Sequence, residues 1–313
     1  MLLIETKNLH HRYSQQRQGQ MALDGINLAV EEGQMYGLLG PDGAGKTTLI
    51  RILSTVLNPT QGEAEVMGFS TRKQAKNIRK QIGYMPQNFS LYPDLSVVEN
   101  LEFFADTNGL SKSKKAARIA RMLEFTRLGD FKKRRASNLS GGMKKKLALG
   151  CALIHEPKVL LLDEPSTGVD PVSRRELWLI LSQVVADGVT VFVSTPYMDE
   201  AERCHQVSIL YQGQILTEGK PADLTTSLPF KVVEVRGKPR KMTREIVSNS
   251  QEILSWRPIG DRFRLAVDEP EKIIQELTNE LNQSEVAIKL LQQSRRTMED
   301  VFIHMVETER LKQ

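Results

Sequence analysis

Short apolar runs, polar stretches and one long basic segment divide this chain into predicted elements. Leu2–Asn8 and Ala22–Val30 carry strand signals, with a polar, glutamine-rich loop at Ser14–Gln20 between them. Met35–Leu39 reads as a buried strand and Lys46–Val56 as the helix after it. Gly62–Gly68 follows as a short strand, Thr71–Gln81 as a polar helix, and Ile82–Gln87 as a strand running into a loop. Ser96–Thr107 and Lys112–Leu128 look helical, the second of them basic. From Leu139 an apolar-periodic helix runs through Leu147, Leu149, Ala152 and Leu153. Lys158–Pro165 is a fully buried parallel strand ending in two carboxylates, Asp163 and Glu164.

Beyond Leu228 and Pro229 the character changes. Lys231–Val235 is predicted as a strand, Thr243–Ser248 as a helix, and Ile253–Trp256 and Phe263–Val267 as strands. Glu271–Leu281 is then a helix and Val286–Leu290 a strand, so the order βαββαβ suggests a small ferredoxin-like unit. A last helix, Thr297–Thr308, places Met298, Val301, Phe302, Met305 and Val306 on one face. Residues 1–227 and 228–313 are the expected domains.

The length of 313 residues suits two such domains. No apolar run approaches the ~18–20 residues needed to cross a bilayer, and the N-terminus lacks the pattern of a signal peptide. Cys151 and Cys204 stand far apart, so neither a disulfide nor zinc is indicated. A soluble, cytosolic protein is expected. Its net charge of +5 is uneven: Ser111–Lys146 holds 13 Lys or Arg against Glu124 and Asp130, a local +11, and the remainder sums to −6. Residues 112–135 read either as a solvated helical face or as a surface for anionic lipid or an acidic partner. Nucleic acid is not expected, since only Phe125 and Phe131 interleave the charges.

One stretch carries chemistry outright. Gly40-Pro41-Asp42-Gly43-Ala44-Gly45-Lys46-Thr47-Thr48 fits the phosphate-binding loop G-x-x-x-x-G-K-[ST], between a strand and a helix. Glycines let successive N–H groups turn onto a polyphosphate. Lys46 can then reach the β and γ phosphates of ATP, and the Thr47 hydroxyl can hold Mg²⁺. A short hydrophobic strand tipped by Asp163 is the usual partner of such a loop, the carboxylate completing the Mg²⁺ shell. Glu164, one residue on, is placed to polarise an attacking water. Tyr13 is suited to stack on a base, or is an ordinary strand-end tyrosine.

With these motifs in order, Leu2–Thr226 resembles the ATP-binding subunit of an ABC transporter. The phosphate loop, Gln87, Leu139-Ser140-Gly141-Gly142-Met143, the Leu160–Glu164 strand and Ser166-Thr167-Gly168-Val169-Asp170 follow that family's sequence of motifs. The resemblance implies an α/β fold: a P-loop ATPase core of mixed sheet plus a helical subdomain at about residues 88–157, then a small α+β domain. It implies that Tyr13 stacks on adenine, and that Gln87 touches Mg²⁺ and the water and senses the membrane subunit. Ser140, Gly141 and Gly142 would meet the γ-phosphate held by an opposite subunit in a head-to-tail dimer, with Asp170 joining the two sites. Partners implied are an integral-membrane permease and a second ATP-binding subunit, identical or not. The protein would then sit on the cytoplasmic face of the membrane. Met298-Glu299-Asp300-Val301-Phe302 resembles the tail of drug-export-type subunits.

Two positions depart from the family. Met143 replaces the common glutamine of the signature, leaving the serine and glycines in place. Pro196 stands where a histidine usually contacts the γ-phosphate, and proline offers no donor. Thr195 capping a helix with Pro196 as first residue would suit the fold; His205 is too far along to substitute. Catalysis is therefore expected from Lys46, Gln87 and Glu164, with slow turnover. The alternatives are a regulatory ATP-binding subunit with little hydrolysis, or a soluble ABC protein of repair or translation. Against the last, only 22 residues separate Ser140 from Asp163, too few for a coiled-coil insertion.

Overall fold

The computed structural model describes residues 1–13, 21–88 and 91–311, so the expected loop at Ser14–Gln20 lies outside the described residues. The chain divides into two units, Met1–Pro221 together with the residues from Met305 onward, and Ala222–His304. Among the described residues no helix is long and apolar enough to cross a membrane.

In the first unit, β1 (Leu2–His11) pairs antiparallel with β2 (Leu23–Glu31). After β3 (Met35–Leu39) and α1 (Lys46–Leu53) come β4 (Gln61–Val66) and the two-residue β5 (Phe69–Ser70), which complete a four-stranded sheet in the order β2-β1-β4-β5. The expected helix Thr71–Gln81 is shorter: α2 covers only Ala75–Arg79. It buries Ile78 alone, and Thr71 and Gln74 spend their N–H groups on the turn, bonding Ala64 and Ser70 carbonyls.

A helical section follows β6 (Ile82–Met85). It holds α3 (Val97–Thr107), α4 (Lys112–Phe125) and α5 (Gly141–Leu153). A capping box fixes the start of α3, with Ser96 Oγ accepting from Glu99 N–H and the Glu99 carboxylate accepting from Ser96 N–H. α4 buries only Ile119 and Met122, which leaves most of its charges outside.

The chain then enters β7 (Val159–Asp163), α6 (Pro171–Ala186), β8 (Thr190–Thr195), α7 (Met198–Ala201), β9 (Gln206–Tyr211), β10 (Gln214–Gly219) and α8 (Pro221–Thr226). β10-β9-β3-β8-β7-β6 form one sheet. Its strands run parallel except for β10, so the sheet is mixed. The unbroken apolar runs of β3 and β7 are explained by burial of every residue in both. Parallel register decides what meets at the far end: Leu39 lies beside Thr195, and Asp163 beside Ser194.

The second unit holds β11 (Lys231–Lys238), α9 (Arg240–Asn249), β12 (Ile253–Ile259), β13 (Arg262–Val267), α10 (Pro270–Gln283) and β14 (Ala287–Ser294), and α11 (Met298–Arg310) begins in it. The antiparallel order β12-β13-β11-β14 is the split βαβ arrangement expected from the pattern. Val233, Val235, Phe263 and Leu265 pack with Val247, Ile273 and Leu277 of the two helices. On the alternate residues, Arg264, 6% exposed, reaches Glu234 and Asp300, with contacts of 2.7 Å to each.

Candidate functional site

Open α/β sheets leave a crevice beyond the carboxyl ends of their strands, and the expected chemistry gathers there. The loop after β3 turns into α1 at Gly45, whose φ is 111°. A Cβ at Gly45 would also run into the Ala22 carbonyl, so only glycine fits. A cavity of about 610 Å³ opens over this turn. Asp42, Gly43, Gly45, Lys46, Thr47 and Thr48 line it from the loop, Tyr13, Met21 and Ala22 from one side, and Gln87 and Glu164 from the other.

Lys46 is buried, and its Nζ donates to the carbonyls of Gly40 at 2.9 Å and Pro41 at 3.0 Å. The same ammonium lies 3.0 Å from Glu164 Oε1, an ion pair with both partners buried. Ala44 is buried beneath the turn and accepts from Gly213 N–H. Gly40, Pro41 and Ala44 thus shape the loop without lining the cavity.

Asp163 and Glu164 are held differently. Asp163 Oδ1 accepts from Thr47 Oγ1 at 3.1 Å and from Ser194 Oγ at 2.8 Å. Its Oδ2 is buried with no partner among the described residues. Burial pushes the Asp163 carboxyl above its ordinary range, against those two hydrogen bonds. A buried, half-satisfied carboxylate beside a threonine hydroxyl is the oxygen donor set that Mg²⁺ takes, so these residues fit the ion. Glu164 has φ 48°, left-handed for a residue with a side chain, a conformation that persists only where the surroundings hold it. The hold is visible: its N–H donates to Ser194 Oγ, and its Oε2 accepts from Gln87 Nε2 at 2.9 Å and Thr167 Oγ1 at 3.2 Å.

Tyr13 reaches across with its hydroxyl 3.1 Å from Thr48 Oγ1, its ring edge-on to His11. Ser140, Gly141 and Gly142 are not brought to this cavity. Ser140 Oγ caps α5 by accepting from Met143 N–H. Gly142 lies so close to Ser173 at the start of α6 that a side chain would collide. Asp170 caps α6 by accepting from the Ser173 and Val172 N–H groups. Ser173, through its N–H and its hydroxyl, does most to hold that carboxyl below the usual range. Signature and Asp170 are therefore neighbours of one another in this subunit.

The segment at Pro196 differs from expectation. Pro196 follows β8 but is not helical; α7 starts at Met198 with Tyr197 as its cap. Thr195 Oγ1 accepts from Tyr197 N–H and donates to the fully buried Glu200, which also accepts from Trp178 Nε1 and Arg174 Nε. His205 Nδ1 accepts from Met35 N–H, so that imidazole is engaged at the foot of β3. Sequence reasoning missed Ser194 and Thr167 as supports of the two carboxylates. It also missed Lys145, whose Nζ donates to the Gln87 carbonyl at 3.1 Å. A neighbouring hydroxyl in register with a strand-end Asp leaves no mark in a single sequence.

Residues 23–167 match the family described as ABC transporter, and residues 219–306 match the C-terminal domain of DrrA1-3-like ATP-binding proteins. The chain is 35% identical over 274 residues to Nod factor export ATP-binding protein I of Cupriavidus metallidurans, covering 87% of this chain and 88% of that protein. It is 48% identical over 203 residues to the probable multidrug ABC transporter ATP-binding protein YbhF of Escherichia coli, covering 65% of this chain. That stretch spans about a third, 35%, of YbhF. Among solved structures, the ATP-binding cassette MJ0796 with ADP and Pi superposes with a TM-score of 0.65 at 27% identity, covering 70% of this chain and 98% of that one. A relative matched along most of its length, joined to this nucleotide-binding fold, means that the chain belongs to the ATP-binding ATPase subunits of ABC transporters.

Proposed function

We propose that this subunit hydrolyses ATP to drive a separate membrane permease, in the direction of export. The observation that carries the reading is the linked set Thr47–Asp163 and Lys46–Glu164–Gln87, drawn from three parts of the chain to one cavity, with Asp163 behind its Thr47 wall. Lys46 and the loop amides neutralise phosphate charge. Phosphate competes with Glu164 for the Lys46 ammonium, which frees the carboxylate to position and polarise the attacking water. Thr47, Asp163 and Gln87 would hold Mg²⁺, which supplies charge neutralisation at the phosphates. The chemistry is mostly placement and electrostatics. Tyr13 stacks on the adenine once its hydroxyl is drawn from Thr48.

Two subunits close head-to-tail, so that Ser140, Gly141 and Gly142 of one meet the nucleotide of the other and Asp170 links the sites. The separation of the signature from its own phosphate loop supports this. Docking on the permease holds the subunit at the cytoplasmic face of the membrane. Relatives whose names state multidrug transport and Nod factor export support the direction. The test is Lys46→Ala: nucleotide binding should weaken and phosphate release stop. A variant that binds and turns over like the wild type overturns the reading.

A second reading has its own observation. Pro196 supplies no donor, and His205 is engaged elsewhere, so a mainly regulatory, slowly hydrolysing site also fits. Steady-state phosphate release beside Glu164→Gln separates the two: a rate no higher than that variant's favours the regulatory site.

A further inference from the structure

The helix that carries the signature also touches the loop that carries Gln87. Gly141, Lys145 and Ala148 recur at helical spacing and line one groove of α5, and Gln87 lies in the same groove. Gln87 is past the end of β6: the last ladder pair is Met85 with Leu162, so the Gln87 carbonyl has no strand partner. Lys145 supplies one, its Nζ donating to that carbonyl at 3.1 Å. Of its neighbours, Lys146 binds Glu176 of α6 at 2.9 Å, while Lys144 is exposed at the rim of the same groove.

We infer that Lys145 is a positioning residue, which fixes the Gln87 backbone so that the Gln87 amide can hold the catalytic carboxylate of Glu164. The connection runs Lys145 Nζ to Gln87 carbonyl, then Gln87 Nε2 to Glu164 Oε2 at 2.9 Å, then Glu164 Oε1 to Lys46 Nζ at 3.0 Å. Lys145 stands five residues after Ser140 on one rigid helix. A shift of the signature end of α5 is therefore delivered to the Glu164 side of the subunit's own cavity. This inference rests on the proposed role of Glu164, and it adds a residue outside the family motifs to that machinery.

The experiment compares steady-state ATP hydrolysis of wild type, Lys145→Met, Lys145→Arg, Gln87→Ala and the double variant Lys145→Met/Gln87→Ala. Losing one such hydrogen bond should lower kcat about three- to tenfold. KM for ATP should hold, because the phosphate loop is untouched. Lys145→Arg keeps a donor and should restore most of the rate. If Lys145 acts through Gln87, its removal costs nothing further in the Gln87→Ala background. A merely structural lysine would give independent losses and a lowered melting temperature instead. Wild-type kcat in Lys145→Met, or additive losses in the double variant, overturns the inference. Glu164→Gln, run alongside, separates the two levels: if it hydrolyses normally the functional reading itself fails, whereas an inactive Glu164→Gln beside a normal Lys145→Met sinks only the role of Lys145.

Discussion

Glu164 shows what a single residue must endure at this site. It carries a side chain in the left-handed region, sits buried, and shares its charge with Lys46. Three polar neighbours, Ser194, Thr167 and Gln87, keep it there. Pro196 lies at the same carboxyl end of the sheet and offers nothing of the kind. Because Pro196 is outside α7, changing it asks nothing of that helix. We therefore expect Pro196→His to raise ATP turnover, towards the factor of roughly 10²–10³ that one preorganised donor is worth. Phosphate release would be measured for wild type, Pro196→His and Glu164→Gln under matched conditions. Brisk wild-type turnover with no gain from the histidine would mean that the missing donor is immaterial.

At the scale of elements, the C-terminal sheet is fastened by charge. Arg264 of β13 lies between Glu234 of β11 and Asp300 of α11, all three nearly buried. Breaking an isolated buried pair costs about 3–5 kcal/mol. Here Glu234 keeps Arg262 and Asp300 keeps Arg257, so the loss is smaller, but both carboxylates are left with fewer donors. Arg264→Met should therefore speed native-state hydrogen exchange of the β11 and β13 amides in the full chain. Unchanged exchange would show the network to be dispensable. Burial opposes the charge on Asp300, but the Arg264 hydrogen bonds and the Thr297 N–H outweigh it, so its pKa is depressed. A depressed carboxylate stabilises the fold above its unfolded pKa of about 3.9 and ceases to as pH falls through the folded value. Asp300→Asn should accordingly flatten the loss of stability on acidification below about pH 4.

The same accounting changes the basic segment. Lys115, Arg118, Arg121, Arg127 and Lys146 pair with Asp106, Glu156, Asp187 and Glu176. Much of the charge on α4 is thus the mundane kind, a helical face neutralised by its own chain. Lys132, Lys133, Arg134 and Arg135 remain exposed, with only Arg135 near a carboxylate, that of Glu99, among the described residues. Their backbone is pinned, since the carbonyls of Lys132 and Arg134 accept from Val98 and Val97 N–H.

For the whole molecule, two consequences follow. If these four cations meet anionic headgroups, binding to vesicles containing phosphatidylglycerol should weaken with salt, the Debye length being ~10 Å at 0.1 M. Equal binding to phosphatidylcholine alone would leave the quartet merely solvated. The signature, stranded away from its own cavity, predicts the second. Glu164→Gln, with hydrolysis blocked, should shift from monomer to dimer in sedimentation when ATP and Mg²⁺ are added. A monomer at saturating ATP, with the permease as well as without it, would count against the head-to-tail closure.

Much of this was open to a reader of the sequence, for a physical reason. A phosphate loop is a local object: glycine at a forbidden φ, a lysine and a hydroxyl on the first turn of a helix. Buried parallel strands announce themselves as unbroken apolar runs, and the βαββαβ order survives because each element has its own periodicity. The polar helix expected at Thr71–Gln81 failed for the converse reason, having one buried side chain to hold it. What tertiary structure alone decided is who touches whom. Register between β7 and β8 sets Ser194 against Asp163, and packing of α5 beside the loop after β6 gives Lys145 the Gln87 carbonyl. Folding likewise chose which basic residues find acids and which are left facing water. Such contacts join positions far apart in the chain, so local pattern determines the elements and their motifs, whereas strand register and helix packing determine the partners.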